Sequence, residues 1–277
     1  MAVKHAVLSA SSSERRLKCP PSARLCEAYE DKGSDYAAEG TDAHALCEFR
    51  LKQALGIPAN DPIENLTWYN EEMEECAAGY ADYVTEVLET IKQTCADPTI
   101  LIEQRVDFSR WVRDGFGTAD CIIIADGVLN IVDYKHGKGI EVSAMKNPQM
   151  MLYALGALEI FDGIYDIESV RMTIYQPRKN NISVCNMEKD CLLEWAQNDL
   201  AYKAKLAYEG GGDFHCGEWC RFCKAKAECR ERAETNLALA RYDFERPALL
   251  SDEEIADILD KADDLTAWAA DVREYAL

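Results

Sequence analysis

Apolar residues recur with a helical period in two long segments of the first third of the chain. Residues 40–55 carry this pattern up to Gly56, and residues 71–94 carry it until Pro98 follows. Apolar positions three and four residues apart form one face of an amphipathic helix. The pattern therefore predicts two helices, joined by a polar loop over residues 57–70.

Short apolar runs of strand length come next. The second and third runs are separated only by Asp126-Gly127, and this dipeptide between apolar runs is a strong hairpin signal. With this turn, the numbers of facing residues sum to about 253, which places Asp120 opposite Asp133. The pattern predicts three strands at residues 100–106, 118–125 and 128–135.

The remaining pattern predicts both helices and strands. Asn147-Pro148 is typical of a helix start, and Ser251 with Glu254 forms a capping box. The predicted elements are a helix at 148–161, strands at 169–176 and 182–187, a helical region at 188–208 and a helix at about 251–275. Because a hairpin opens the sheet, we expect an α/β (α+β) fold with a central mixed sheet flanked by helices, not a doubly wound nucleotide-binding fold.

Length and composition are those of a globular protein. The 277 residues are 48% hydrophobic and 29% charged, and this length suits one large domain or two small ones. No apolar run approaches the roughly 18 residues of a membrane span. The apolar segment near the N-terminus is too short for a secretory signal. We therefore expect a cytoplasmic protein with no membrane partner.

The negative charge is concentrated in two segments. The formal net charge is −20, and residues 61–90 and 251–277 together carry −16 of it. The rest of the chain is close to neutral and contains basic clusters. Acidic helices on one face and a basic groove on another can coexist, so the total charge does not exclude a nucleic-acid partner.

Asp133 and Lys135 lie at the end of the apolar strand NIVDYK and point to the same face as Ile131. A buried carboxylate beside a buried ammonium needs further partners. One interpretation is a structural ion pair, and the other is a metal ligand beside a lysine that acts on an anion. Because directly opposed acids destabilise a sheet, the pairing of Asp120 with Asp133 favours a divalent metal between them.

Other polar residues stand at helical spacing. His44 precedes Glu48 by four residues, and Gln149 precedes Tyr153 by four, so each pair lies on one helix face. Singly these signals are weak. In order, however, G-x-x-x-H, G-x-x-D, D-x-K and Q-x-x-x-Y between residues 40 and 153 resemble the motifs of the PD-(D/E)XK nuclease superfamily. The likeness is closest to the RecB-like branch, which includes the CRISPR spacer-acquisition exonucleases and the AddB nuclease domain.

This resemblance implies a restriction-endonuclease-like core at about residues 40–187 within a single nuclease domain, 1–277. It implies metal-dependent hydrolysis of DNA with Mg²⁺ or Mn²⁺, in which the metal lowers the pKa of water and the lysine orients water or offsets phosphate charge. An Asp replaces the commoner Glu before x-Lys, within the variation of the superfamily. The implied metal ligands are His44, Asp120, Asp133 and the Tyr134 carbonyl, with Lys135 as the catalytic lysine and Gln149 and Tyr153 as residues that steady it and the DNA backbone.

Twelve cysteines are present, and four of them fall within residues 216–229. Without a secretory signal, a disulfide scaffold is disfavoured, and a metal or cluster site fits better. The spacing C-x2-C-x5-C supplies three thiolates, Cys220, Cys223 and Cys229. A fourth ligand is needed, and nearby Cys216 would complete a local zinc site.

The RecB-like iron–sulfur nucleases favour another fourth ligand. In them a cysteine before the core joins three at its C-terminal end. Cys19 in LKCPPSARL matches that first position, so the resemblance implies a [4Fe-4S] cluster on Cys19, Cys220, Cys223 and Cys229 that staples the N-terminal segment to residues 216–229. Cys216 is then spare, and the other seven cysteines are interpreted as small buried hydrophobes.

The stretches NPQMMLYALGAL and CRFCKAKAECR also resemble an uncharacterised family common in phages and integrated elements. Together these likenesses imply a DNA exonuclease acting on single strands or duplex ends in phage or mobile-element replication or recombination, with a replication or recombination protein as partner and a homo-oligomer as an option. We expect DNA to contact Lys138, Arg221 and Lys224. The alternatives are a DNA-end or single-strand-binding protein with little cleavage, zinc in place of iron–sulfur, or a redox module.

Overall fold

The computed structural model describes residues 8–30, 33–239 and 250–277. By their internal contacts these residues group into two compact units. The first contains residues 8–13 and 33–201, and the second contains residues 14–30, 202–239 and 250–277. The sequence-based prediction of a single nuclease domain over residues 1–277 stays a prediction.

The strands of the described residues form one five-stranded mixed sheet in the order β1-β2-β3-β4-β5. Strands β1, β2 and β3 are successively antiparallel, β3 and β4 are parallel, and β5 returns antiparallel to β4. The predicted α+β fold with a central mixed sheet flanked by helices is confirmed. The strands are β1 (Thr99–Asp107), β2 (Phe116–Ala125), β3 (Val128–Tyr134), β4 (Ser169–Gln176) and β5 (Asn181–Glu188).

The β2–β3 hairpin has the predicted register. Asp126 and Gly127 both have positive φ, 48° and 73°, as a two-residue type I′ turn requires. Cys121 pairs with Val132, and Ala125 pairs with Val128. The chemistry of this turn therefore sets which residues of β2 and β3 meet further along the hairpin.

The helices agree closely with the hydrophobic pattern. The first long helix begins at Asp35 rather than residue 40, because the Ser34 side chain accepts a hydrogen bond from Ala37 N and caps it. Two short helices near the N-terminus were not predicted, and the helical region at 188–208 is interrupted by a π-helical turn at Ala196–Leu200. The α-helices are α1 (Ser13–Lys18), α2 (Ser22–Glu27), α3 (Asp35–Ala54), α4 (Glu71–Lys92), α5 (Pro148–Tyr165), α6 (Lys189–Trp195), α7 (Ala201–Glu209), α8 (Arg230–Leu237) and α9 (Asp252–Ala276).

Helices cover both faces of the sheet in the first unit. Helices α3 and α4 pack on one face, where Leu46, Tyr80, Val84, Val132 and Tyr134 share a buried cluster. Helix α5 crosses from β3 to its parallel neighbour β4 and is buried at every position from 150 to 158. Since side chains alternate along a strand, β3 presents Val132 and Tyr134 to α3 and α4 and presents Asp133 towards α5.

The second unit brings the segment before α3 together with the C-terminal part of the described chain. Helix α9 begins at the predicted capping box, in which Ser251 and Glu254 bond reciprocally. Asp271 of α9 accepts a hydrogen bond from Arg232 of α8 at 2.5 Å. In the described ranges, no helix has both the length and the apolar character needed to cross a membrane.

Candidate functional site

The site forms where the β2–β3 ladder ends. Cys121–Val132 is the last regular pair, and one further step of the same register places Asp120 beside Asp133. Beyond that pair, the backbone N–H of Tyr134 donates to Asp120 Oδ2 at 2.7 Å instead of to a β2 carbonyl. The Asp120 carboxylate therefore terminates the ladder and is fixed by it.

A third carboxylate, Glu103, lies at the same level on the neighbouring strand. In the β1–β2 register, Ile102 pairs with Cys121 and Gln104 with Ala119, so Glu103 faces Asp120. The backbone of Glu103 is distorted there, with φ of 51°, a value uncommon for residues other than glycine. Acids of three adjacent strands thus meet at one level of the sheet.

His44 of α3 completes a group that could bind a cation. Its Nδ1 lies 3.3 Å from Asp120 Oδ2. One ligand atom each from His44, Glu103 and Asp120 can be chosen so that all lie within 4.8 Å of one another. One imidazole nitrogen and two carboxylate oxygens suit a divalent cation such as Mn²⁺ or Mg²⁺. Asp133, a predicted ligand, lies outside this group, while Glu103, which was not predicted, lies inside it.

Asp133 instead belongs to a polar chain that reaches α5. Lys135 Nζ lies 2.9 Å from Asp133 Oδ2 and donates to Gln149 Oε1 at 3.0 Å. Gln149 Nε2 donates to Asp133 Oδ1 at 3.4 Å and to Tyr153 OH at 3.1 Å. The structure therefore brings together Asp133, Lys135, Gln149 and Tyr153, as the sequence predicts.

Two local features of the sequence hold these hydrogen-bonded side chains in place. The Asn147 side chain caps α5 by accepting hydrogen bonds from Gln149 N and Met150 N, which anchors the first turn. A Cβ atom at Gly117 would lie 2.8 Å from Tyr153 Cε1. The glycine of G-x-x-D is thus needed because the Tyr153 ring packs directly against its Cα.

The site contains more negative than positive side chains. Burial alone lowers the pKa of His44, but attraction to Asp120 outweighs it and raises that pKa to about 9. Burial alone would raise the pKa of Asp120. The charge and hydrogen bond of His44 outweigh burial, so the pKa of Asp120 is lowered. Burial and then the Asp120 charge raise the pKa of Glu103 to about 7. Burial likewise raises the pKa of Asp133, against the attraction of Lys135.

The raised pKa values of Glu103 and Asp133 describe buried carboxylates that lack sufficient positive charge beside them. Asp133 Oδ2 is buried and has no well-aligned hydrogen-bond donor in the described part of the chain, although Lys135 Nζ lies nearby. A divalent cation would offset the negative charge and satisfy such oxygens. The donor set therefore fits a hard divalent metal ion.

A second polar network surrounds the exit of β3. Tyr134 OH and His136 Nδ1 are 2.7 Å apart, and His136 Nε2 lies 3.3 Å from Glu39 Oε1. No sequence pattern marks His136, because its partners come from α3 and from residues after β4. The network continues through Arg178 to Glu39 and Glu72, and through Lys138 to Glu72.

The predicted DNA contacts differ in their surroundings. Lys138 forms an ion pair with Glu72 at 3.0 Å, and its side chain is 57% exposed. Arg221 is exposed and donates from Nε to the Glu218 carbonyl at 2.9 Å, and Lys224 is also exposed. The acidic start of α4 thus pairs with cations of the same unit, since Glu74 also binds Arg50.

In the second unit, the four predicted cluster cysteines line one cavity, while Cys216 is not part of its wall. Cys19, Cys220, Cys223 and Cys229 share this cavity with the cations Arg15, Lys226 and Arg232. Burial raises the pKa of Cys19 and of Cys220, and for Cys220 the charge of Arg232 opposes this shift. The structure thus brings together residues that are about two hundred positions apart in the sequence.

The spacing of the thiols bears on the kind of metal group. Tetrahedral zinc, with Zn–S of about 2.3 Å, holds its sulfurs about 3.8 Å apart. Among the described residues, no three thiol sulfurs lie within 4.8 Å of one another. The described thiols are therefore not arranged as a preformed tetrahedral zinc site.

Comparison with known proteins gives a family match over nearly the whole chain. Residues 5–277 match the family described as "Protein of unknown function (DUF2800)". A solved structure titled "Crystal structure of SSO0001" is similar to the chain with 14% sequence identity and a TM-score of 0.28. The match covers 67% of this chain and 94% of that one.

Proposed function

The chain belongs to the DUF2800 family, and we propose that it is a metal-dependent deoxyribonuclease whose centre is formed by His44, Glu103, Asp120, Asp133 and Lys135. One observation carries this proposal: His44, Glu103 and Asp120 converge within ligand distance of one another. Beside them lies a lysine that is held by Asp133 and Gln149. An ion pair with a purely structural role does not require the additional acids of two neighbouring strands.

Each residue has a role that follows from its position. His44, Glu103 and Asp120 would hold the metal, with Asp133 at their side. Mg²⁺ or Mn²⁺ bound there supplies a Lewis acid that lowers the pKa of water and polarises a phosphoryl oxygen. The Tyr134 carbonyl stays a proposed additional ligand.

Lys135 supplies the positive charge that phosphodiester hydrolysis needs beside the cation. Its ammonium is restrained by Asp133 on one side and by Gln149 on the other, so it is ordered before substrate binds. There it can orient the attacking water or neutralise charge that develops on the phosphate. Tyr153, through Gln149, restrains the lysine from α5.

The finer parts of the proposal come from the resemblance to the RecB-like nucleases. They are exonuclease action on single strands or duplex ends, a role in phage or mobile-element replication or recombination, and an associated replication or recombination protein. Exposed Lys138, Arg221 and Lys224 are the proposed contacts to the DNA backbone, where each lysine or arginine that neutralises a phosphate releases counterions.

We further propose that the cavity of the second unit holds a structural [4Fe-4S] cluster on Cys19, Cys220, Cys223 and Cys229. The support is their common cavity, its cationic lining and the absence of Cys216 from its wall. Cys19 and the other three cysteines lie on either side of residues 33–201, the long segment of the first unit, in sequence. Ligation would therefore fix a very long loop of the chain.

The first experiment incubates the purified full-length protein with end-labelled single-stranded and double-stranded DNA. We expect short labelled products with Mg²⁺ or Mn²⁺ and none in EDTA. Labels at the 5′ and the 3′ end, compared with an internally labelled circle, distinguish exonuclease from endonuclease action. DNA binding without cleavage under every metal condition would favour the alternative of an end-binding protein.

A further inference from the structure

Cys26 is a fifth thiol beside the cavity of the second unit, and it contacts one of the four cavity cysteines. Its Sγ lies 3.6 Å from Cys223 Sγ. Both side chains are buried, and together with Ala225 they form a small separate hydrophobic cluster. Cys26 is thus paired with a proposed cluster ligand, which the interpretation of a passive buried hydrophobe does not include.

The contacts around Cys26 position its sulfur for reaction with Cys223. The two thiols share a hydrogen bond, and the backbone N–H groups of Lys224 and Ala225 also hydrogen-bond to the Cys26 sulfur. A thiol held this close to another forms a disulfide with it once one of the two sulfurs is oxidised.

We propose that Cys26 and Cys223 are a peroxide-sensitive pair that forms a disulfide and thereby removes Cys223 from the cavity thiols. Formation of the disulfide does not depend on the proposed function. Its consequence, a cavity with three thiolates in place of four, rests on the proposed cluster.

The chemistry balances with hydrogen peroxide as the oxidant. The Cys26 thiolate attacks one peroxide oxygen, the O–O bond breaks, and Cys26 sulfenic acid and hydroxide are formed; the hydroxide takes up a proton to become water. The Cys223 sulfur then attacks the sulfenic sulfur, the S–O bond breaks, and the departing hydroxyl takes the Cys223 proton as a second water. Two thiols and one peroxide give one disulfide and two waters.

The geometry makes this pair the favoured product. A disulfide requires an S–S distance of about 2.05 Å, so the two sulfurs must approach by roughly 1.5 Å. The internal competitor is Cys216 with Cys220, which also share a hydrogen bond. Peptide mapping distinguishes the two pairs, because they lie in different tryptic peptides.

Peptide mapping tests the proposal on the full-length protein. Reduced protein is treated with a small excess of hydrogen peroxide, free thiols are blocked with N-ethylmaleimide, and trypsin is used without reductant. Trypsin separates the relevant thiols, because Cys26 falls in residues 25–32, Cys223 in 222–224, and Cys216 with Cys220 in 206–221. We expect peptides 25–32 and 222–224 to be joined as the main product.

Two variants serve as controls. Cys26→Ser should abolish the cross-link, and Cys216→Ser should leave it unchanged. A main product within peptide 206–221, a main product joining Cys223 to Cys19, or full alkylation of Cys26 after peroxide would each overturn the proposal.

Iron binding tests the consequence separately. After peroxide, wild-type protein should take up less than about a tenth of the iron that reduced protein takes up on reconstitution, and dithiothreitol should restore uptake. Cys26→Ser should retain uptake after peroxide. Equal loss of iron uptake in the wild type and in Cys26→Ser would show that the disulfide is not the cause of the loss and would overturn this consequence. If the reduced wild-type protein binds no iron, the cluster proposal fails, while the peptide map still decides the disulfide.

Discussion

Glu103 is a residue whose backbone conformation is explained by its side chain. A non-glycine residue at φ of 51° within a strand costs on the order of 1–3 kcal/mol. The distortion occurs at the single position of β1 that faces Asp120, beside His44. We interpret it as the adjustment that directs a third carboxylate into the site.

Replacing Glu103 by Gln tests this interpretation through metal affinity. The amide keeps the shape but removes the charge, so Mn²⁺ should bind at least about tenfold more weakly. The measurement is Mn²⁺ titration followed by electron paramagnetic resonance at pH 7. Glu48→Gln is the matched control, since Glu48 lies on α3 near His44 but pairs with Lys52. Equal affinities for Glu103→Gln and wild type would contradict the assignment.

In metal-free protein, Glu103 also makes stability depend on pH. Its pKa rises from the model-peptide value of 4.5 to about 7, through burial first and then the Asp120 charge. Between these values the folded chain retains a proton that the unfolded chain has released, so stability falls as pH rises from about 4.5 to 7. In EDTA, Glu103→Gln should therefore melt a few degrees above wild type at pH 8 and together with it at pH 4. An equal difference at both pH values would argue against this cause.

At the scale of elements, the register of the β2–β3 hairpin was predictable to the residue, whereas the register of β1 with β2 was not. Asp126-Gly127 determines its own turn, and the turn determines that Asp120 meets Asp133. Between β1 and β2 the chain passes through eight residues, and their Asp114-Gly115 does not join the two strands as a two-residue turn. The register that brings Glu103 to Asp120 therefore had no local determinant. The same reason applies to Arg178 and His136, whose contacts depend on tertiary packing.

The short helices α1 and α2 were missed for a related reason. Each has six residues, too few to show a helical period, and an isolated helix of that length is unstable in water. Their conformation depends on packing with residues from beyond position 202. By contrast, α3, α4 and α5 are long, periodic and capped, and their existence was predictable from the sequence.

The junction of β2 and α5 gives a prediction at this scale. Gly117→Ala should destabilise the protein by about 1–3 kcal/mol, because the new methyl group would displace the Tyr153 ring and with it the support of Gln149. Chemical denaturation measures the change. Gly137→Ala is the control, because no atom lies within 4 Å of a Cβ at that position.

A double-mutant cycle identifies the cause. If the clash with Tyr153 is responsible, Gly117→Ala combined with Tyr153→Ala should be less destabilising than the sum of the two single changes. Strict additivity would show that the alanine acts through some other contact.

At the scale of the whole molecule, the proposed cluster would connect segments that lie far apart in the sequence. Cys19→Ser should lose the brown colour and most of the iron and should lower the melting temperature, because ligand binding to a site absent from the unfolded chain contributes directly to folding. Cys216→Ser should keep the colour, the iron content and the melting temperature of the wild type. Metal analysis of anaerobically purified protein decides the matter: one zinc and no iron, released by Cys216→Ser but not by Cys19→Ser, would indicate a local zinc site.

The charge is unevenly distributed over the molecule, and the proposed DNA contacts Lys138, Arg221 and Lys224 lie outside its two acidic segments. Most of the net charge of −20 belongs to residues 61–90 and 251–277, and part of it is paired, as Glu72 and Glu74 show. Sequence composition predicted this segregation, but it could not predict that α4 binds the cations of neighbouring elements. Those ion pairs depend on the register of loops that carry no periodic signal.

The central claim is that DNA is hydrolysed at the carboxylate site, and a comparison of Asp120→Asn with Asp126→Asn tests it most directly. Both changes convert Asp to Asn on the same hairpin, and Asn tolerates the positive φ of position 126. Asparagine at position 120 keeps an oxygen that can accept the hydrogen bond from Tyr134 N, but it removes the carboxylate charge that lies beside His44 and Glu103. With end-labelled DNA and saturating Mn²⁺, Asp120→Asn should cleave about a thousandfold more slowly, roughly 4 kcal/mol in the barrier, while still binding DNA, and Asp126→Asn should match wild type. Cleavage by Asp120→Asn at the wild-type rate would contradict the account.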